Sequence, residues 1–297
     1  MSTAAFFDLF DYPLTLDELE KYLFGEIKHD RKNLEIYLKQ SPKIAIMDGV
    51  FYLSDRAGLH KERVIKEGLS KKLWLKVNKF AGKLSYLPFI KSVCVCNNLA
   101  FNCPQPESDI DLFIITKKNR LFTARILITI LSHILGVRRH KGKIAQRFCL
   151  SFFVCEENLD FSKLAIKPYD IYLAYWIKTL KPVIDNGVMV KFLQNNRVFL
   201  KRYFAAECMV DRSKQIDLSH YGKTVSKKLS SILGGKFGDL LERFLKKWQM
   251  KRAEAKYKKL SDQTGTVISE KMLKFHNVDR RNEVNQKWQQ RVEELLT

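Results

Sequence analysis

The sequence predicts an α+β protein in which a sheet domain lies between a small N-terminal unit and a C-terminal helical region. Residues 1–60 show short helical patterns that end in a hairpin, and residues 61–165 alternate apolar strands with a long apolar helix. Helical spacing then dominates residues 166–297. At 297 residues and 46% hydrophobic composition, the chain has room for two or three modest domains.

The N-terminal unit is predicted to contain three short helices followed by a β-hairpin. A first aromatic-rich helix ends before Pro13, and Thr15 then precedes a second helix with Glu18 three residues later, which is the spacing of a capping box. The third helix has the sequence DRKNLEIYLKQ, and Asp48-Gly49 between two short strands favours a type I′ turn. This order is typical of a winged helix. Such a unit can bind DNA through its third helix or serve as a packing or docking module, and the mixed charges of that helix leave both roles open.

The central region is predicted to form a sheet domain. A basic amphipathic helix covers about residues 61–84, and the strand patterns are KSVCVC, DIDLFIIT and RFCLSFFV. The segment Leu121–Val137 is too short and too polar to span a bilayer, so we interpret it as a buried helix with His133 as a core residue. From Tyr169 onward, the spacing of apolar residues predicts helices.

The net charge of +21 is concentrated in two segments. Residues 117–147 contain nine Lys/Arg and no Asp/Glu, and residues 223–259 contain twelve basic and three acidic residues, so the two segments supply 18 of the 21 net charges. This asymmetry favours a polyanionic or phosphate-bearing partner, with nucleic acid as a candidate. A solvated basic surface that maintains solubility is the alternative.

The cysteines and the N-terminus indicate a cytoplasmic protein without a membrane span. None of the six cysteines forms a CxxC pair, and Cys94 and Cys96 lie within a strand pattern, so we expect free buried thiols rather than a zinc site. The N-terminus lacks the basic start and the small-residue cleavage site of a signal peptide.

Asp109 and Asp111 are the main candidates for chemistry. They are two residues apart at the start of an apolar strand, so both carboxylates point to the same face. Two neighbouring carboxylates repel each other and are costly to desolvate, and a cation between them removes that cost. Hard oxygen ligands at this spacing suit Mg²⁺, which also binds nucleotide phosphates. Alternatively, one aspartate caps the preceding turn and the other lies at an exposed strand edge.

Residues 91–154 resemble the nucleotidyltransferases of the DNA polymerase β superfamily, including minimal and kanamycin-type nucleotidyltransferases. The resemblance rests on an apolar strand, the turn Asn97-Asn98, and Ser108-Asp109-Ile-Asp111 on the next strand. It implies that Asp109 and Asp111 are catalytic ligands of Mg²⁺ and that Ser108 orients the loop. It also implies that Asn97 and Asn98 form a phosphate cradle at a helix N-terminus, where free N–H groups favour anions.

Two features depart from the pattern of this superfamily. Its Gly-Ser is replaced by Asn97-Asn98, although Asn tolerates the left-handed backbone better than other non-glycine residues. The strand Arg147–Val154 also lacks the usual third carboxylate, so Cys149 or Ser151 takes the inward position. The nearest acids follow that strand, namely Glu156, Glu157 and Asp160.

From the resemblance we expect a Mg²⁺-dependent nucleotidyltransferase that moves a nucleoside monophosphate from an NTP to an acceptor hydroxyl. Lys117 follows the aspartate strand and is expected to contact the phosphates, together with Asn97 and Asn98. The alternative is a catalytically degenerate protein of the same fold that binds nucleotide or nucleic acid without turnover. The discriminating feature is whether Glu156, Glu157 or Asp160 approaches Asp109. A regulator that recognises DNA through the winged helix is a third hypothesis.

Overall fold

The computed structural model describes residues 1–25, 30–140, 142–258, 265–275 and 279–297. Within these ranges the chain is an α+β structure with two sheets. One sheet is a small antiparallel sheet of three strands near the N-terminus, and the other is a mixed sheet of six strands. The predicted combination of helices with a sheet domain is confirmed at this level.

The N-terminal unit has the predicted order of three helices and a hairpin. The Thr15 side chain accepts a hydrogen bond from the backbone N–H of Glu18 (3.2 Å), while the Thr15 N–H donates to the Glu18 carboxylate (2.9 Å), which confirms the capping box. Asp48 and Gly49 both have positive φ, as a type I′ turn requires. The elements are α1 (Ser2–Asp8), β1 (Leu14–Thr15), α2 (Leu16–Tyr22), α3 (Arg31–Gln40), β2 (Ile44–Met47) and β3 (Val50–Leu53).

The six-stranded sheet carries the candidate site on its central strands. Its strand order is β7-β4-β5-β6-β9-β8, and β5 and β6 are parallel whereas the other pairs are antiparallel. Apolar clusters cover both faces of β5, with Phe113 and Ile115 on one face and Leu112 and Ile114 on the other. The elements of this region are α4 (Leu59–Leu84), β4 (Ile90–Val95), a 3-10 helix (Asn97–Phe101), β5 (Ile110–Thr116), α5 (Leu121–Ile134) and β6 (Phe148–Cys155).

The region from Tyr169 onward is not helical throughout, because it adds three strands to the same sheet. The sequence patterns of these strands are too short to separate from helical spacing. Pro182 also argues against a strand, although an edge strand such as β7 tolerates it. The elements are α6 (Ile171–Thr179), β7 (Lys181–Asp185), α7 (Val188–Asn195), α8 (Arg197–Leu200), α9 (His220–Ile232), α10 (Lys236–Tyr257), β8 (Thr266–Ile268), β9 (Met272–Phe275) and α11 (Arg281–Leu296).

Helix α5 is buried on one face only, which corrects the expectation of a buried helix. Phe122 and Ile128 pack into the core, whereas Ile134 is 76% exposed. His133 is also exposed and is therefore not a core histidine. Across the described ranges, no helix, α5 included, is both long and apolar enough to cross a membrane.

A carboxylate from α10 joins this helix to the sheet domain. The buried Glu242 accepts hydrogen bonds from the backbone N–H groups of Phe122 (2.9 Å) and Thr123 (2.8 Å), and from the Thr123 hydroxyl (2.6 Å). Helix α5 has no side-chain cap of its own at Arg120. Glu242 therefore supplies both the missing cap and a negative charge at the positive end of the helix.

We predict that Glu242→Gln lowers the free energy of unfolding by about 1–3 kcal/mol, because the amide retains only one acceptor oxygen and no charge. Urea denaturation measures this loss. Glu254→Gln on the same helix is the matched control, since Glu254 is exposed, and we expect its effect to stay within about 0.5 kcal/mol. Equal losses in the two variants would show that the cap contributes no specific stabilisation.

Candidate functional site

The two aspartates lie side by side at the beginning of β5. Asp109 directly precedes this strand, Asp111 is its second residue, and Asp111 is paired in register with Cys149 on β6. One side-chain ligand atom from each of these three residues lies within 4.8 Å of the others. The spacing of the aspartates thus brings both carboxylates to one place, as predicted, and the parallel pairing adds a thiol.

Two nitrogen donors contact the carboxylates, and one of them is positively charged. Arg139 donates a hydrogen bond from Nη1 to Oδ2 of Asp109 (2.6 Å), and Asn97 donates from Nδ2 to Oδ2 of Asp111 (2.7 Å). Arg139 is 43% exposed at its side chain, whereas Asp109 is 17% exposed. The guanidinium therefore approaches the pair from the solvent side, where it neutralises one of the two charges.

The pKa of Asp111 is raised to about 6, chiefly by burial and then by the charge of Asp109, while the hydrogen bond from Asn97 opposes the increase. Burial and the charge of Asp111 also raise the pKa of the Cys149 thiol to about 12. At neutral pH the thiol is therefore protonated. The Asp111 carboxyl, with its pKa of about 6, loses its negative charge when the pH falls just below neutrality.

Asn97 has the left-handed backbone that its position was expected to need, with φ of 58° at the start of the 3-10 helix. Its side chain is held between Asp111 and the Tyr172 hydroxyl, which donates to Oδ1 of Asn97 over 3.4 Å. Asn98 lines a small cavity with Phe6 and Tyr175 and does not line the large cleft that contains the aspartates. The two asparagines therefore differ in surroundings, and only Asn97 contacts an aspartate.

Ser108 organises the loop that precedes β5. Its hydroxyl accepts a hydrogen bond from the backbone N–H of Gln105 (3.1 Å), and its carbonyl accepts from that of Gln146 (2.7 Å). Lys117 lies at the opposite end of β5, about 20 Å from Asp111 along an extended strand. The structure does not bring Lys117 to the aspartates.

The acidic residues after β6 have partners of their own outside the aspartate pair. Glu156 pairs with Lys91 (3.2 Å) and accepts a hydrogen bond from the backbone N–H of Lys118. Glu157 pairs with Lys118, and Asp160 accepts from Ser162. Because β5 and β6 are parallel, Glu156 and Glu157 lie at the end of the sheet away from the aspartates, and Asp160 does not line the cleft that contains them. Cys149 occupies the position facing Asp111 instead.

The aspartates line a cleft of about 1650 Å³, and most of the other charged residues in its wall are cationic. Lys274, Arg280 and Arg281 line it, so the described part of residues 274–281 folds over the site; residues 276–278 lie outside the described ranges. Sequence patterns gave no signal for the helical part of this wall, because Trp248 and Arg252 lie far along the chain. The basic residues that line the cleft are Arg125, Arg138, Arg139, Arg252, Lys274, Arg280 and Arg281.

One side of the cleft is fixed by a charge network around Arg281. Its guanidinium binds Asp279 (2.5 Å), the fully buried Asp170 (3.0 Å) and the carbonyl of Leu164 (2.6 Å). Asp279 is thus a further carboxylate in the cleft wall. No motif in the sequence singles out this residue. Its pairing with Arg281 lowers its pKa.

The donor set at the aspartates fits a Mg²⁺ ion shared with a phosphate ligand. Asp109 and Asp111 offer hard oxygen atoms, whereas the protonated Cys149 is a poor ligand for this ion. Mg²⁺ commonly binds one or two carboxylates and completes its octahedron with water and substrate phosphate. Two carboxylates in a cationic cleft satisfy that requirement.

Comparison with known proteins provides no identification. No family model matches the chain, and neither the curated proteins nor the solved structures contain a significant match. The site is therefore interpreted from its geometry and charge.

We predict that Asp111→Asn stabilises the protein at pH 7 by about 1–3 kcal/mol in the absence of divalent ions. The folded-state pKa of about 6 lies above the ordinary value of 3.8, so the folded protein binds more protons than the unfolded chain between these values. The stability of the wild type therefore falls, relative to the variant, as pH rises from about 4 to 6. Urea denaturation at pH 4 and pH 7 measures the difference.

For Asp111→Asn the matched control is Asp160→Asn, which removes a carboxylate that does not line the cleft. We expect no comparable gain in stability for that variant. A stability difference for Asp111→Asn that is the same at both pH values would contradict the assigned cost of the buried charge.

We predict that Arg139→Gln tightens Mn²⁺ binding about tenfold, because the guanidinium competes with a cation for Asp109. Electron paramagnetic resonance of Mn²⁺, used here as a probe for Mg²⁺, measures the free ion. Lys143→Gln is the matched control, with the same change in charge on the same loop. Weaker binding by Arg139→Gln would mean that the guanidinium positions the carboxylate instead of competing for it.

Proposed function

We propose that this chain is a cytoplasmic, Mg²⁺-dependent nucleotidyltransferase that moves a nucleoside monophosphate from an NTP to an acceptor hydroxyl and releases pyrophosphate. The observation that carries the proposal is the carboxylate pair at the start of the central strand, at the mouth of a cationic cleft. The six free cysteines fit a reducing compartment.

The order of the elements around the aspartates supports the proposal. Strand β4 leads through the left-handed Asn97 into a short helix, and the next strand, β5, carries the Asp-x-Asp pattern. Strand β6 then lies beside β5 and presents Cys149 to Asp111. This is the order of the elements in the superfamily that the sequence resembles, with a thiol in place of the third carboxylate.

In this function Asp109 and Asp111 hold the metal, and Asn97 orients Asp111 through its amide. Bound Mg²⁺ supplies a positive centre that binds phosphate oxygens and stabilises developing negative charge. Asn97 and Ser108 shape the turns on either side of the carboxylates. The volume of the cleft, about 1650 Å³, exceeds that of a typical small-molecule site and accommodates a nucleotide together with part of an acceptor.

A catalytically degenerate binding protein is the second candidate, and two contacts favour it. Cys149 stands where a third carboxylate would complete the metal site, and none of the acids after β6 replaces it. Arg139 already neutralises Asp109. A protein with these contacts can bind phosphate-bearing ligands through its cleft without turnover.

The third hypothesis, a DNA-binding regulator, has weaker support from the contacts of helix α3. Arg31 pairs with Asp17 and Glu20, and Lys39 pairs with Glu35. Two of the basic residues of this helix are thus engaged by neighbouring carboxylates. A packing role for the N-terminal unit agrees better with its contact to α6, where Phe6 stacks on Tyr175 at 4.0 Å.

The function is tested by calorimetric titration of the four NTPs with Mg²⁺ into the wild type and into Asp109→Asn/Asp111→Asn. We expect binding to require Mg²⁺ and to weaken at least about a hundredfold in the variant, since both carboxylates that hold the ion are lost. Glu157→Gln/Asp160→Asn is the matched control, because it removes the same charge from two residues that do not line the cleft.

The release of pyrophosphate then separates the two leading candidates. Release with a hydroxyl acceptor, lost in the aspartate variant, supports the transferase. Mg²⁺-dependent binding without release supports the degenerate protein. Absence of NTP binding by the wild type would overturn the metal–nucleotide site.

A further inference from the structure

Three arginines in the cleft form a cluster that has no carboxylate partner among the described residues. Arg125 lies on α5, Arg138 follows that helix, and Arg252 lies on α10, and all three line the cleft that contains the aspartates. Burial, followed by the charges of Arg138 and Arg252, lowers the pKa of Arg125 to about 10. Burial, followed by the charge of Arg252, also lowers the pKa of Arg138. The three guanidiniums are therefore close enough to repel one another.

Arg125 is held in place by contacts other than ion pairs. Its Nη1 donates to Oε1 of Gln249 (2.7 Å), and its guanidinium lies over the rings of Phe153 (5.8 Å) and Phe275 (5.1 Å). Its Nε is buried and has no hydrogen-bond partner. A buried donor without an acceptor is costly, so the fold by itself compensates this guanidinium only in part.

Arg125 differs from several other cations that are largely buried in the described parts of the chain. Arg63 pairs with Glu18, Arg281 with Asp170, and Lys181 with Asp211. Those cations are neutralised within the fold, as buried charges usually are. Arg125 and the half-buried Arg138 have no ion pair with a described residue, and the exposed Arg252 adds a third charge in the same cleft, so the cluster offers its charge to an external anion.

An exposed tryptophan beside the cluster indicates what kind of anion it takes. Trp248 precedes Arg252 by about one turn of α10, lines the same cleft and is 43% exposed. The guanidinium of Arg252 lies 5.8 Å from the centre of its ring. A short phosphate chain needs only the cations, whereas single-stranded nucleic acid combines phosphate contacts with stacking of bases on aromatic side chains.

We propose that Arg125, Arg138 and Arg252 bind the phosphate backbone of a single-stranded polynucleotide, with a base stacked on Trp248. This strand is the acceptor of the transferase, and that role rests on the proposed function. The binding itself does not require Asp109, Asp111 or a metal. The proposal thus names the substrate class of the cleft and assigns its recognition to residues outside the carboxylate pair.

The test is fluorescence anisotropy of a labelled single-stranded oligonucleotide of mixed sequence, in EDTA, over a range of salt concentrations. For Arg125→Gln/Arg138→Gln/Arg252→Gln we expect a loss of affinity of about thirtyfold and a salt slope smaller by about 2, since each phosphate contact to a single strand contributes about 0.7. Trp248→Leu is expected to lose about tenfold through lost stacking.

The matched control is Lys223→Gln/Lys227→Gln/Lys228→Gln, which removes the same charge from exposed positions of α9. We expect it to lose less than about threefold in affinity, through the general field alone. Because Arg252 is exposed, Arg252→Gln is a second variant that tests the cluster without disturbing buried contacts, and we expect a loss of about threefold or more.

Two results would overturn the proposal. Equal losses of affinity in the α9 control and in the arginine variant would mean that the oligonucleotide binds to the basic surface non-specifically. Full competition by inorganic triphosphate, with no effect of Trp248→Leu, would mean a site for a short phosphate chain. Asp109→Asn/Asp111→Asn is expected to bind the oligonucleotide in EDTA at least as tightly as the wild type, because two negative charges are removed from the cleft. Oligonucleotide binding is therefore tested separately from the metal–nucleotide site.

Discussion

The burial of β5 on both faces is the constraint on which the rest of the structure depends. This strand has a neighbour on each side and apolar clusters above and below, so a charged side chain cannot be placed along most of its length without a partner. Its carboxylates occur at the start of the strand, where the apolar cover ends and the cleft begins. The same feature that stabilises the core therefore determines where polar chemistry can occur.

The C-terminal half of the chain completes this site from a distance. Strand β9 pairs with β6 and brings Lys274 to the cleft, and Glu242 fixes α10 against the N-terminus of α5. Arg281 then connects the start of α11 to the buried Asp170. These contacts join segments more than a hundred residues apart, so the cleft depends on the folding of the whole sheet and its covering helices.

The charges of the cleft are divided into two groups with different local balance. Arg139 neutralises one of the aspartates and the amide of Asn97 donates a hydrogen bond to the other, whereas Arg125, Arg138 and Arg252 repel one another and form no ion pair with any residue that the structure describes. An arrangement of this kind costs stability in the free protein, and a ligand that carries both phosphates and a metal would relieve both groups. Part of the large positive net charge therefore lies in the cleft, and part lies on the outer surface of the helices.

Local spacing along the chain was enough to predict the capping box at Thr15, the hairpin at Asp48-Gly49, the strands β4 to β6 and the proximity of the two aspartates. Each depends on neighbours within a few residues, whose spacing directly sets their geometry. Tertiary structure alone decided that three short C-terminal strands join the sheet, that Cys149 faces Asp111 and that Lys117 lies remote from it. It also decided which of the many basic residues gather in the cleft. These outcomes follow from strand pairing and helix packing between distant segments, for which the local sequence carries no periodic signal.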